Sequence, residues 1–223
     1  MISIIIPTLW KADEIYDTIS SFQKYNNIEA ELIIINNSQK QIEFENINII
    51  TPYTNVGVNP AWNMGVNASR YEMVLLLNDD ITLDFPLFFK FIKDLPNNLD
   101  FGAIVGDWRY ISGDDKNNPS DVLTLKENNL GRFFGYGCFQ IMLKKYYYNI
   151  PLELKYFFGD DLLYFIVNDM LNLPIYYINN LKLQGRMSVS SKNIVDDFEY
   201  EKFQSLVIKL RKFYSLRNEE PFF

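Results

Sequence analysis

The sequence predicts an α/β fold: a single domain with a mostly parallel sheet flanked by helices. Short, continuous apolar runs alternate through its first half with stretches whose apolar residues recur at helical spacing. Strands buried on both faces read as unbroken apolar runs, and their alternation with helices implies a parallel sheet covered on both sides. A further observation is Leu75-Leu76-Leu77-Asn78-Asp79-Asp80, an apolar run that stops abruptly at an amide and two carboxylates. In open α/β sheets, that carboxyl edge of the strands is where ligands bind.

In chain order, residues 2–6 read as a first strand stopped by Pro7, and residues 13–25 as a helix presenting Ile15, Ile19 and Phe22. Residues 31–35 form a second strand and 47–50 a short third. Pro60 suits a first helical turn, so a helix is expected over 60–69. Residues 71–77, 85–95 and 102–105 follow as strand, helix and strand. From 107 to 129 the chain is polar and irregular; a loop of that length is usually functional, and it is expected to order on binding. A glycine-punctuated strand over 133–143, a helix over 160–171 and strands near Ile175 and Leu183 come next. A final helix over 193–216 lines up Phe198, Phe203, Leu206, Val207, Leu210 and Phe213 on one face. Such a stripe reads as a packed lid, with a membrane-surface or partner helix as the alternative.

Composition removes several function classes. The 223 residues are 48% hydrophobic and 16% aromatic, enough for one substantial core, and no linker divides them. A net charge of −7 argues against a nucleic-acid binder, whose affinity comes from clustered Lys and Arg. The absence of histidine excludes a Ser-His-Asp triad and a His-containing zinc site, leaving acid–base work to carboxylates, Tyr, Cys or Lys. Cys138, the single cysteine, can form no intrachain disulfide and is expected to be a buried, inert thiol. Residues 1–7 lack a basic leader and read as a strand rather than a signal peptide. With no apolar run near the ~20 residues of a membrane span, a cytoplasmic protein is expected.

Asp79 and Asp80 have no Lys or Arg nearby in sequence, so a cation or strong hydrogen bonding is expected to stabilise them. Carboxylate oxygens with few protein partners suit Mg²⁺ or Mn²⁺ bridging to a diphosphate. The structural alternative is a turn that caps the next helix.

Several segments together carry a resemblance. Ser3-Ile4-Ile5-Ile6-Pro7-Thr8 resembles the opening of family 2 glycosyltransferases of the nucleotide-diphospho-sugar (A-type) fold, and Leu32-Ile33-Ile34-Ile35-Asn36-Asn37-Ser38 their second strand. Asn55-Val56-Gly57 followed by Ala61-Trp62-Asn63-Met64-Gly65 is similar to the family's N-x-G and A-x-N-x-G segments. Leu77-Asn78-Asp79-Asp80 falls where the family carries its D-x-D metal motif, and Phe157-Phe158-Gly159-Asp160-Asp161 where it carries an aromatic patch and an acidic pair.

The resemblance implies an inverting glycosyltransferase that moves a sugar from a UDP-, dTDP- or GDP-linked donor to a hydroxyl of a glycan or glycoconjugate. It implies a nucleotide-binding half over 1–106, an acceptor-side half over 107–190 and a C-terminal helix over 191–223, with peripheral membrane contact open to that helix. Pro7, Thr8, Leu9, Asn36, Asn55, Gly57, Asn63, Asn78 and Asp79 are the implied nucleotide-sugar contacts. Asp80, then Asp79, are the implied ligands of Mn²⁺ or Mg²⁺. Asp161 is the implied base, with Asp160 in support; the alternative for this pair is an ordinary helix N-cap. Trp108 and Arg109 are plausible sugar contacts, since aromatic faces stack on sugars.

The chain departs from the pattern at Asn36 and Asn78, where the family usually has acids, and at Leu183-Gln184-Gly185-Arg186, which lacks the late histidine of many relatives. Gln184 or water could complete the metal shell there, or Arg186 could meet phosphate. These departures keep a non-catalytic sugar-nucleotide-binding module as an alternative. A nucleotidyltransferase would want a glycine-rich loop after the first strand, and residues 8–13 contain no glycine.

Overall fold

The computed structural model describes residues 1–26, 29–38, 40–106, 123–128, 136–179, 181, 183–185 and 197–218, with Tyr136, Gln184 and 214–218 described in backbone only. In chain order the elements are β1 (Ile2–Thr8), α1 (Glu14–Tyr25), β2 (Ala30–Asn36), β3 (Asn48–Ile50), α2 (Val58–Ala68), β4 (Met73–Leu77), β5 (Ile81–Leu83), α3 (Phe85–Asp94), β6 (Ala103–Gly106), β7 (Thr124–Glu127), β8 (Phe139–Leu143), α4 (Gly159–Phe165), β9 (Ile175–Asn179), β10 (Leu183–Gly185) and α5 (Asp197–Asn218). Among the described residues, no helix is long and apolar enough to cross a membrane.

Among the described residues, eight strands make one sheet in the order β3-β2-β1-β4-β8-β6-β9-β7, while β5 and β10 pair as a separate antiparallel ribbon. The β1–β2, β1–β4, β2–β3 and β6–β9 pairings are parallel, as the sequence predicts. The sheet is nonetheless mixed: β8 lies antiparallel between β4 and β6, and β7 runs antiparallel along β9.

The apolar runs alternate between the two faces of this sheet. Ile4, Ile6, Leu75 and Leu77 pack with Ile15, Ile19 and Phe22 of α1 and with Phe85, Phe88 and Phe89 of α3. Ile5, Val74 and Leu76 pack with Ala61, Trp62 and Val66 of α2, Leu162 and Leu163 of α4 and Val207 of α5. Helices therefore cover both faces, which is why these strands carry no polar alternation.

Several boundaries differ from expectation, each for a local reason. β1 continues through Pro7 and Thr8, which stay in register with Ile35 and Asn36, so the chain leaves the sheet only at Leu9. Within the stretch read as irregular, β7 is an edge strand; both its faces are largely exposed, which removes the apolar alternation that marks a strand. Of the strand expected over 133–143, residues 136–138 form a 3₁₀ turn and only 139–143 are extended. α4 is short and continues as a π-helical turn over Ile166–Met170, closed by Leu171 N–H donating to Ile166 O at 3.0 Å. α2 starts at Val58, two residues before Pro60, which still sits in the first turn.

Candidate active site

The carboxyl ends of β1 and β4 lie side by side and bring the first motif to the second. The Thr8 hydroxyl donates to Asp79 Oδ2 at 2.7 Å and accepts from the Trp10 N–H at 2.8 Å. The Leu9 backbone also hydrogen-bonds Asp79. Burial raises the Asp79 carboxyl above its ordinary range even against the Thr8 and Leu9 bonds. Asp80 is pushed up to about 6, first by burial and then by the charge of Asp79, with Glu14 of α1 adding to it. Asp80 Oδ1 is buried and has no hydrogen-bond partner among the described residues. The β5–β10 ribbon pairs Gly185 with Ile81, so the Leu183–Gly185 stretch arrives right beside Asp80. The Gln184 side chain and Arg186 lie outside the described residues.

Asp160 of the second acidic pair reaches the same edge. A Cβ on Gly137 would meet Asp160 Oδ2 at 2.6 Å, so the carboxylate occupies the space that this glycine leaves. The neighbouring Cys138 O accepts from the Asn78 N–H at 3.1 Å, tying this turn to the end of β4. The Cys138 thiol is pushed up to about 12, by burial first and then by the charges of Asp80 and Asp160. It stays protonated at neutral pH, a poor nucleophile, as the sequence predicts. Both Asp80 and Asp160 thus lie near enough to Cys138 to act on it, Asp160 directly against Gly137. Asp160 and Asp161 sit in the first turn of α4; the N-cap is Phe158, with a left-handed φ of 60° and no side-chain cap bond.

The amides at the site are heavily used. Asn36 Oδ1 accepts from Trp10 Nε1 at 2.8 Å and from the Ser38 hydroxyl at 2.8 Å, while Nδ2 donates to Lys40 O and Thr51 Oγ1. A base reading through Asn36 would have to displace one of these. Asn63 Oδ1 accepts from the Tyr147 hydroxyl and the Ile150 N–H, and Nδ2 donates to Ile150 O, so this side chain ties the 147–150 segment to α2. Asn55 Oδ1 accepts from the Gly57 N–H at 2.9 Å, shaping the turn into α2. Gly57 has φ 89°, and a Cβ there would sit 2.5 Å from Lys155 O; both features require glycine. Trp108 and Arg109 lie outside the described residues, as does the 107–129 stretch apart from 123–128.

Residues that sequence reasoning passed over also build the site. Asn37, nearly buried, accepts from the Val56 N–H and donates to Gly57 O, fastening the Asn55–Gly57 turn to the end of β2. Trp10, at φ 58°, packs its ring against Tyr16 and Phe44 beneath Asn36. Asn59 and Glu199 hold the approach to the acidic pair. Asn37 lies inside a quoted motif and Asn59 between two of them, so their spacing was a usable signal; Glu199 has none, because its partners are backbone amides far away in sequence.

The model of glycosyl transferase family 2 matches residues 3–151. Poly-beta-1,6-N-acetyl-D-glucosamine synthase of Staphylococcus epidermidis is 28% identical over 117 residues, which cover 48% of this chain and 28% of that protein. S. aureus TarS 1–349 is similar in structure with a TM-score of 0.65 at 14% identity, over 92% of this chain and 64% of that one. TarS 1–349 in complex with UDP-GlcNAc gives 0.66 at 15% identity, over 92% and 65%. The chain thus spans under a third of the synthase's length and under two thirds of TarS 1–349, and at these identities the structural likeness shows the shared A-type fold. On the match over residues 3–151, the chain belongs to glycosyl transferase family 2.

Proposed function

We propose that this chain is an inverting glycosyltransferase that moves a sugar from a nucleotide-diphosphate donor to a hydroxyl of a glycan or glycoconjugate. The observation that carries the reading is that acids of two separate motifs meet at one turn on the carboxyl edge of the sheet: Asp160 sits against Gly137, and Asp80 acts electrostatically on the adjoining Cys138. One pair faces where a diphosphate would lie; the other belongs to the acceptor side.

A divalent metal fits the first pair. Asp80 has a buried oxygen with no partner among the described residues and a carboxyl whose charge the fold disfavours, which a hard cation such as Mg²⁺ or Mn²⁺ would relieve. Among the described residues no group of three or more His, Cys, Asp or Glu could hold a metal. Asp80 with Asp79 would therefore share it with donor oxygens and water, a pattern usual for Mg²⁺. When bound, the metal supplies charge neutralisation at the diphosphate.

The remaining chemistry falls to side chains. Thr8 and Leu9 hold Asp79 in place through hydrogen bonds. The acceptor hydroxyl oxygen forms a bond to the anomeric carbon as the bond to the diphosphate breaks on the opposite face, inverting the centre. Asp161 takes the hydroxyl proton, the nucleoside diphosphate leaves, and Asp160, seated against Gly137, is the supporting contact. UDP-GlcNAc is the first donor to test, because TarS was solved with it and the synthase relative is named for an N-acetylglucosamine polymer. Nucleotide release from UDP-, dTDP- and GDP-linked sugars, with and without Mn²⁺, tests the reading. Nucleotide binding without turnover of any donor would instead make the chain a binding module.

A further inference from the structure

The acidic pair is reached through residues 154–158, a stretch outside the regular elements that is held from two sides. From α2, Asn59 donates through Nδ2 to Leu154 O and Phe157 O, both at 2.9 Å, and its backbone N–H donates to Lys155 O. From α5, Glu199 enters with only 3% of its surface exposed. Its carboxylate accepts from the Tyr156 N–H at 3.1 and 3.0 Å and from the Phe157 N–H at 2.8 Å. The next residue, Phe158, adopts a left-handed φ of 60°, which a bulky side chain rarely does unless its surroundings impose it. Its ring lies stacked on Phe203 of α5 at 5.4 Å and tilted against Tyr200 at 5.6 Å. Asp160 and Asp161 follow directly in the first turn of α4.

We propose that Glu199 is a positioning residue for sugar transfer: by gathering the Tyr156 and Phe157 amides it fixes the turn at Phe158 and thereby sets where Asp160 and Asp161 point. An anchor needed only to dock α5 could be apolar, as Val207 is. A buried carboxylate is costly unless charge-assisted bonds compensate it, and here three such bonds come from the two residues just before the turn. The inference rests on the proposed function, whose acidic pair it positions.

Glu199→Gln keeps the side chain's size but replaces one accepting oxygen with a donor that faces N–H groups. The assay is nucleotide release from whichever donor of the panel, UDP-GlcNAc first, the wild-type chain turns over. kcat is expected to fall on the order of 10- to 100-fold, as for a small misplacement of catalytic groups, with donor KM and UDP affinity held within about two-fold. Amide exchange at Tyr156 and Phe157 should accelerate, and Glu199→Asp should recover part of the rate. Wild-type kcat in a variant whose Tyr156 and Phe157 amides exchange freely overturns the proposal. Equal losses of kcat and UDP affinity overturn it too, since they mark general damage. If Glu199→Gln does not fold, Phe203→Leu decides, because it removes the stack under Phe158 while keeping an apolar contact; the same split between kcat and KM is expected, and its absence is fatal. A wild-type chain that turns over no donor overturns the proposed function itself, and this inference with it.

Discussion

Burial and the charge of Asp79 push the Asp80 carboxyl from 3.8 to about 6, so folding takes up a proton between those values. For an acid raised in this way, the ionised form destabilises the fold; the effect is absent below about pH 4, grows up to about pH 6 and is complete above it. Asp80→Asn removes it. The metal-free variant should exceed the wild type in stability at about pH 7.5 by about 1–2 kcal/mol, a figure discounted because the group is partly exposed, and should match it near pH 4. Mn²⁺ should raise the melting temperature of the wild type but not of the variant. A wild type that is the more stable partner at pH 7.5 without metal would sink the argument. On the other side of the site, Asp161→Asn keeps shape but cannot accept a proton, so transfer should fall on the order of 10²–10⁴-fold with UDP affinity unchanged. Full activity in that variant would falsify the base assignment and shift it to Asp160. The position of Asp79 and Asp80 beyond the end of β4 was legible, because the apolar run of that strand stops just before them. Asn36 and Asn63 were not, because an amide looks the same in sequence whether it meets a ligand or distant backbone groups.

Elements were legible where one physical cause dominated. β1, β2 and β4 are apolar throughout because both faces are covered, and α1 and α3 show helical periodicity because each buries one side. β5 and β7 escaped notice: at three and four residues they are short, and pairing with β10 or with the sheet edge, not their own pattern, makes them strands. Gly65 of α2 shows packing overruling propensity. Gly→Ala inside a helix normally gains roughly 1 kcal/mol, yet a Cβ at Gly65 would collide with Ile5 of β1. Both sit in a rigid, fully buried layer, so Gly65→Ala is expected to destabilise by about 1–2 kcal/mol in urea unfolding. Ile5→Ala is costly alone but should absorb the added methyl, giving a favourable coupling in a double-mutant cycle. A stabilising Gly65→Ala single variant would show that the helix can simply move away.

At the scale of the molecule, parallel strands separated by helices were readable from order alone, but the insertion of β8 between β4 and β6 was not, because nothing in residues 139–143 names its neighbours. That insertion has a thermodynamic consequence. Leu75 and Ile104 both pair with Ile141, so removing β8 leaves β4 and β6 without a partner on that side. α2 crosses the same boundary, since Asn63 holds Tyr147 and Ile150, with the Tyr147 hydroxyl raised in pKa by burial. The chain should therefore unfold in one transition, with tryptophan fluorescence and far-ultraviolet circular dichroism giving the same midpoint. Asn63→Ala leaves a buried hydroxyl and the Ile150 amide group unpaired, and it should lower stability by about 2–4 kcal/mol. Because the coupling is global, both probes should shift by the same amount. UDP affinity below the new midpoint should stay at the wild-type level, since the Asn63 amide already makes three hydrogen bonds to protein partners. Two separated transitions would refute the single cooperative unit, and lost UDP binding in folded Asn63→Ala would return that residue to the donor site.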